Sequence, residues 1–178
     1  MTFRPLSISG VWQITPEIIP DERGCFVRAF SAREMDEREL VTCFPITNMG
    51  WNRRAGTLRG LHFRNSTRPE VKLLHCSRGC VQDVLLDVRP FSPTYLKHVS
   101  VELSAENRIS LYVPHGVAHG YLTFEDETEM VYQMSDIHLP EADAGVRWND
   151  PSFGIEWMAP IRVISDRDRT YRDYQVQT

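Results

Sequence analysis

Several features that decide protein class are missing from this chain of 178 residues. No apolar run approaches the ~20 residues of a membrane-spanning helix, and the first residues, MTFRPLSISG, lack the apolar core of a secretory signal. Lysine and arginine are scattered and the formal net charge is -4, so no dense basic patch is available for a phosphate backbone. The sequence therefore predicts a cytoplasmic protein with neither a membrane nor a nucleic-acid partner.

Cysteine is scarce, with four residues at Cys25, Cys43, Cys76 and Cys80. The only close pair has C-x3-C spacing, and no second pair completes the ligand set of a zinc site. We therefore expect free thiols.

The residues that are present have the composition of one globular domain, which we place over residues 1–178. From Gly56 onward, turn residues separate short β-branched or aromatic runs: KLLHC, VQDVLLDVR, HVSVEL, ISLYVP and MVYQM. This spacing predicts an all-β sandwich or barrel, although periodicity alone does not select a jelly roll. Two short helices are expected, one in SAREMDEREL, where Ser31 and Glu34 have capping-box spacing, and one in the tail SDRDRTYRDYQVQT.

Two histidines lie in apolar, strand-like runs: His62 in LRGLHF and His119 in VPHGVAHGYL. The PHGVAH segment has the P-x-G-x-x-H spacing of the second cupin motif, which indicates a cupin-type jelly-roll barrel, or double-stranded β-helix, with short peripheral helices. A metal-binding cupin also carries an H-x-H pair and a nearby glutamate. Here Phe63 and Arg64 follow His62, so the second imidazole is absent and we expect no metal.

The same residues suit acid–base chemistry, which needs a base, an orienting partner, a cation for developing negative charge, and an acid. The candidates are His62 as base, Lys72 as cation and Tyr132 as acid. Four carboxylates are candidates for the orienting partner, and spacing alone does not choose among them: Asp83, Asp87, Asp166 and Asp168.

Read in order, a series of segments resembles the dTDP-4-dehydrorhamnose 3,5-epimerase family over nearly the whole chain. They are DERGCF, GTLRGLHF, the lysine of EVKLL, DVLLDVRPFSPTY, VELSAENR, YVPHGVAHGYL, VYQMSD, VRWNDPSFGIEW and SDRD. The resemblance implies a homodimeric, cofactor-free and metal-free enzyme. Its expected partner is a nucleotide-diphospho-4-keto-6-deoxy sugar, which it would epimerise at C3, C5 or both in deoxysugar biosynthesis.

The resemblance also implies individual roles. His62 would abstract a proton beside the 4-keto group, Tyr132 would act as the acid on the opposite face, and Asp168 would orient His62, with Asp166 the second choice. Lys72 matches a substrate-contacting position, and chemistry suggests its role: an enolate oxygen needs a cation, which Lys72 could supply. The remaining positions that match substrate contacts or the binding rim are Arg23, Phe26, Asn48, Arg59, His119 and His138.

One pair of these residues poses a geometric problem. Arg59 and His62 are three positions apart, so a regular strand would point them to opposite faces. We expect Gly60 to host a β-bulge that brings both side chains to one site.

Some positions depart from the family pattern. Arg28 replaces a glutamate, Ile46 a glutamine, Arg64 a residue that is commonly glutamine, and His138 a tyrosine that stacks on thymine in many members. Because these changes affect the rim, the base, the sugar and the carbon inverted stay open. Two other functions also stay open: a non-catalytic cupin that binds a sugar nucleotide, and a metal-dependent cupin oxygenase or isomerase.

Overall fold

The computed structural model describes residues 1–176, and within them most ordered structure is β-strand. The strands are β1 Thr2–Pro5, β2 Trp12–Thr15, β3 Ile18–Asp21, β4 Gly24–Val27, β5 Ile46–Asn52, β6 Thr57–Arg64, β7 Lys72–Arg78, β8 Cys80–Asp87, β9 His98–Ser104, β10 Ser110–Val113, β11 Val117–Thr123, β12 Thr128–Met134, β13 Asp143–Gly145 and β14 Val163–Ile164. Two short α-helices, α1 Ala32–Asp36 and α2 Asp166–Arg169, and a 3-10 turn at Pro140–Ala142 complete the described fold.

The strands form two large sheets and a hairpin. The first sheet has the order β1-β2-β10-β7-β12-β5, and the second has the order β13-β6-β11-β8-β9, with β14 added in parallel to β6. Every other pairing is antiparallel. The hairpin of β3 and β4 is a separate two-stranded sheet. The predicted all-β, cupin-type jelly roll with short peripheral helices is confirmed.

The main core contains buried residues of both large sheets, such as Leu74 and Leu111 from the first and Leu85 and Leu103 from the second. The opposite face of the second sheet is also covered, because the C-terminal segment brings Phe153 against its outward-facing residues. Strands β8 and β11 are therefore buried almost throughout, which explains why they contain near-continuous apolar runs.

The five strand runs predicted after Gly56 are confirmed as β7, β8, β9, β10 and β12. Both helices are confirmed but shorter than their segments. In α1 the Ser31 side chain accepts a hydrogen bond from the Glu34 backbone N–H, and Ser165 does the same for Asp168 in α2. The single domain over residues 1–178 stays a prediction, and residues 177 and 178 of the predicted tail segment lie outside the described range.

The expected bulge at Gly60 is present in β6. His62 pairs with His119 of β11, whereas Arg59 pairs with Tyr121, so three steps on β6 match two steps on β11. Gly60 has a φ of 126°, in the range that favours glycine. A Cβ there would overlap the Gly120 Cα and lie 2.9 Å from the His119 carbonyl oxygen. The bulge therefore requires glycine and puts Arg59 and His62 on one face.

We expect Gly60→Ala to lower the free energy of unfolding by about 3 kcal/mol or more, because it combines an unfavourable φ with a backbone overlap. Gly154→Ala is the matched control, since Gly154 has a φ of 61° but no atom within 4 Å of an added Cβ. It should lose only about 1–2 kcal/mol. Equal losses in urea unfolding of the two variants would show that the close approach of Gly60 and Gly120 is unimportant.

Candidate active site

The strongest acid–base feature is a His–Asp pair between β6 and α2. His62 Nε2 lies 2.6 Å from Asp168 Oδ1, although 106 positions separate the residues. The His62 side chain is 42% exposed, whereas that of Asp168 is 5% exposed. The pair therefore has a buried carboxylate and an imidazole open to the surface. With Nε2 occupied by Asp168, Nδ1 is the ring atom left for a substrate.

Several hydrogen bonds hold Asp168 in place. Its Oδ2 accepts from the Gly60 backbone N–H at 3.2 Å, and its own N–H donates to Ser165 Oγ at 3.1 Å. Burial alone would raise the pKa of Asp168, but the hydrogen bond and charge of His62, followed by the bonds to Gly60 and Ser165, hold that pKa below 3.8. Asp168 is therefore ionised at neutral pH, as an orienting partner for the imidazole must be.

A second His–Asp pair lies deeper on the same sheet face. His119 of β11 stands directly opposite His62 in the strand pairing, and its Nε2 is 2.7 Å from Asp83 Oδ2. Asp83 is completely buried, which raises its pKa although His119 opposes that shift. Within residues 1–176, Asp83 Oδ1 is buried and has no hydrogen-bond partner. Sequence reasoning named Asp83 only as one of four carboxylates.

Tyr132 contacts this second pair from the first sheet. Its ring centroid is 6.1 Å from that of His119 and 6.4 Å from that of Tyr121. Gly50 leaves the space for it, since an added Cβ there would lie 3.3 Å from the Tyr132 hydroxyl. Burial, reinforced by Tyr121 and Asp83, raises the pKa of Tyr132 well above 10.0. Its hydroxyl is therefore protonated at neutral pH, as a proton donor must be.

The arginine on the same face is held by a residue that sequence reasoning missed. Asn52 is 1% exposed, its Oδ1 accepts from Arg59 Nε at 2.8 Å, and its amide lies 3.2 Å from the Tyr121 hydroxyl. Arg59 also donates to the Trp51 carbonyl oxygen at 3.2 Å. A buried asparagine thus links the arginine to the tyrosine cluster. Nothing in the short motif WNRR distinguished Asn52 from a loop residue.

Lys72 is half-buried and does not face open solvent. Its ammonium contacts Glu70 Oε1, and Glu70 Oε2 binds Arg64 Nη2 at 2.5 Å.

Two clefts of about 390 and 190 Å³ share His62 and Arg167. The larger is also lined by Arg59 and the smaller by Lys72. Arg167 is a second residue that the sequence analysis missed, although it lies within the SDRD motif.

The other predicted residues fall into two groups. His138 lines the Lys72 cleft, and Asn48 lies opposite Tyr132 in the β5–β12 pairing. Arg23 and Phe26 belong to the β3–β4 hairpin and line neither cleft around His62. The structure of one chain therefore leaves these two apart from the site.

Two of the candidate carboxylates have other environments. Asp87 accepts hydrogen bonds from Arg89, Ser92 and Thr94, and Asp166 is exposed on α2. The four cysteines are free, and residues 1–176 contain no group of three or more His, Cys, Asp or Glu side chains that could hold a metal ion. In the same range, no helix is long and apolar enough to cross a membrane.

The fold and site define a class: a cupin-type jelly roll in which acid–base side chains from both sheets cluster at one site. Comparison with known proteins defines the family. A family model described as dTDP-4-dehydrorhamnose 3,5-epimerase matches residues 5–175. A curated relative of the same name from Methanothermobacter thermautotrophicus is 38% identical over 173 residues, which cover 96% of this chain and 92% of the relative. The chain belongs to the dTDP-4-dehydrorhamnose 3,5-epimerase family, whose members are isomerases.

Two solved structures add detail about relatives. A dTDP-6-deoxy-D-glucose-3,5-epimerase from Legionella pneumophila, in complex with dTDP-4-keto-L-rhamnose, has a TM-score of 0.89 at 31% identity and covers 97% of this chain and 92% of its own. A 3'-monoepimerase from Streptomyces bikiniensis, in complex with dTDP-quinovose, has a TM-score of 0.89 at 30% identity, with coverages of 95% and 86%.

We expect Asp168→Asn to reduce kcat by about 10²–10⁴-fold, because the variant loses the charge that orients and stabilises the imidazole. It should also lose about 1–3 kcal/mol of stability at neutral pH. Because folding depresses the pKa of Asp168, its contribution is fully present above 3.8 and disappears as pH falls through the folded value. The difference in melting temperature should therefore shrink below pH 3.8.

The matched control is Asp166→Asn, which removes an exposed carboxylate from the same short helix. Its activity and stability should stay close to those of the unchanged protein. Comparable losses of activity in the two variants would contradict the assignment of Asp168 as the orienting residue.

Proposed function

We propose that this protein epimerises C3, C5 or both of a dTDP-linked 4-keto-6-deoxyhexose by removing and returning protons. The observation that carries the proposal is the His62–Asp168 pair, which combines a buried carboxylate with an accessible imidazole. The named activities of the relatives support the reaction class, and the complex of the Legionella relative supports a dTDP sugar as substrate.

The first step would be proton removal by His62. A carbonyl acidifies the C–H bonds on both of its sides, so one base beside the 4-keto group can act at C3 or C5. Nδ1 of His62 would take the proton, while Nε2 donates to Asp168, whose charge stabilises the imidazolium that forms. The Lys72 ammonium would meet the negative charge that develops on the enolate oxygen.

The second step would be proton delivery by Tyr132. Inversion requires that the proton return to the face opposite the one from which it left, so the donor must differ from the base. Tyr132 comes from the first sheet, whereas His62 belongs to the second. Its raised pKa keeps the hydroxyl protonated, and an enolate carbon is basic enough to accept that proton. Removal by His62 and delivery by Tyr132 together account for inversion.

The nucleotide end of the substrate would bind near Arg59 and Arg167, whose guanidinium groups suit a diphosphate. Relatives of this fold are named both as 3,5-epimerases and as a 3'-monoepimerase, so the number of carbons inverted has to be measured. A cytoplasmic location remains part of the proposal.

We also propose a homodimer, in which the β3–β4 hairpin pairs with the edge strand β5 of the partner subunit. The hairpin contacts neither large sheet through strand pairing, and Ile19 and Phe26 are 53% and 64% exposed. Strand β5 lies at the edge of its sheet, where Met49 is 65% exposed. An apolar edge of this kind favours pairing with another chain. The same contact would bring Arg23 and Phe26 to the partner's site.

Tyr132→Phe separates the two steps. The variant keeps the ring and its packing, so proton removal by His62 should continue and substrate C–H groups should still exchange with deuterium oxide. Inversion should fall by about 10²–10⁴-fold, because the donor on the far face is lost. Proton NMR of one sample measures both rates. Tyr112→Phe is the control, since it removes a buried hydroxyl outside the site at a similar cost of about 1 kcal/mol.

Equal and near-normal exchange and inversion in Tyr132→Phe would remove Tyr132 from the mechanism. An unchanged protein that binds a dTDP sugar but exchanges no C–H group would instead support the non-catalytic cupin.

For the dimer, light scattering at micromolar concentration should give the mass of two chains. Met49→Glu should shift the protein to one chain and lower its activity, because it places a charge at the edge of β5. Phe91→Glu is the control, since Phe91 is fully exposed in the loop between β8 and β9 and lies outside the proposed contact. A single-chain mass with full activity in the unchanged protein would disprove the arrangement.

A further inference from the structure

Arg64 is a buried arginine that lines the cleft beside His62. It ends β6, two residues after His62, and its side chain is only 5% exposed. A buried guanidinium is costly unless every part of it is paired. The groups that pair with the Arg64 guanidinium therefore show how its charge is stabilised.

The Arg64 guanidinium binds three acceptors. Nη2 lies 2.5 Å from Glu70 Oε2 and 2.5 Å from the Ile137 carbonyl oxygen, and Nη1 lies 2.7 Å from Asp136 Oδ2. Asp136 is also bound by Arg68, at 2.5 Å. Arg64 is thus fixed from two sides, and one of its partners is the carboxylate that contacts Lys72.

Glu70 therefore lies between two cations. Its Oε2 binds Arg64 and its Oε1 contacts the Lys72 ammonium, and its side chain is only 5% exposed. In the connected cluster, the three cations Arg64, Arg68 and Lys72 face the two carboxylates Glu70 and Asp136. The cluster as a whole keeps one positive charge, and three of its members, Arg64, Glu70 and Lys72, line the cleft beside His62.

We propose that Arg64 is a positioning residue that acts through Glu70 on Lys72. By binding Oε2, Arg64 offsets part of the negative charge of Glu70. Glu70 then cancels less of the electric field that the Lys72 ammonium exerts on a developing enolate. Without Arg64, Lys72 alone would balance the buried carboxylate, and its field at the substrate would weaken. This inference rests on the proposed epimerase function. It gives Arg64 an electrostatic role in the reaction, in addition to any structural role.

The test is a cycle of charge-removing variants assayed for kcat, KM and melting temperature. Arg64→Gln leaves Glu70 to Lys72 alone, so kcat should fall about 10-fold while KM changes little, since the weakened interaction is made mainly in the transition state. In Arg64→Gln/Glu70→Gln both charges leave together, so Glu70 no longer offsets the charge of Lys72. The double variant should therefore recover most of the lost kcat.

Arg68→Gln is the matched control. It removes another cation that binds Asp136, but Arg68 does not contact Glu70 and is 54% exposed. Its kcat should match that of the unchanged protein. A purely structural role for Arg64 predicts the opposite pattern: kcat would follow the melting temperature, and the double variant would be no better than Arg64→Gln.

If Arg64→Gln is too unstable to assay, the double variant still tests the inference because it leaves no unpaired charge at Arg64–Glu70. A kcat more than about 10-fold below that of the unchanged protein would overturn the inference. Failure of this inference is distinct from failure of the proposed function, because the unchanged protein is assayed in parallel on the same dTDP sugar. Only its inactivity would count against the function itself.

Discussion

The close approach of Gly60 and Gly120 is the constraint on which the site depends. Two glycines facing each other let β6 bulge against β11, and the extra residue turns Arg59 to the face that carries His62. In a regular strand one of them would point away from the site. The Gly60 backbone N–H also donates to Asp168, so the bulge helps to fix the partner of the base.

Around this bulge, each buried carboxylate has a basic partner. His62 faces Asp168, His119 faces Asp83, and Lys72 faces Glu70. Each pair has one member that is almost fully buried, which limits its movement. Burying charge costs free energy that only good pairing offsets. The cost of holding acid–base groups in fixed positions is therefore offset by the rest of the jelly roll. Its strands β8 and β11 are buried on both faces.

Much of this arrangement follows from the sequence, but not all of it. Turn-separated apolar runs predicted five strands, the capping-box spacing of Ser31 and Glu34 predicted the first helix, and the spacing of Arg59 and His62 predicted the bulge. The order of the motifs indicated the family, and the family pattern favoured Asp168 over Asp166 as the orienting partner of His62. Asn52, Arg167 and the contacts of Arg64 were missed. Their partners are distant in sequence or depend on register, as with Arg64 and Asp136, which are 72 positions apart. The strands before Gly56 lack strong alternation, and β3–β4 pairs with neither large sheet.

The central claim is that His62 removes the proton, and solvent exchange tests it most directly. A dTDP-linked 4-keto-6-deoxyhexose is incubated in deuterium oxide with the unchanged protein and with His62→Ala, and the C3 and C5 proton signals are followed by NMR. The account predicts that the unchanged protein exchanges at least one of these protons and that His62→Ala does so about 10²–10⁴-fold more slowly. Near-normal exchange by a folded His62→Ala protein would contradict it.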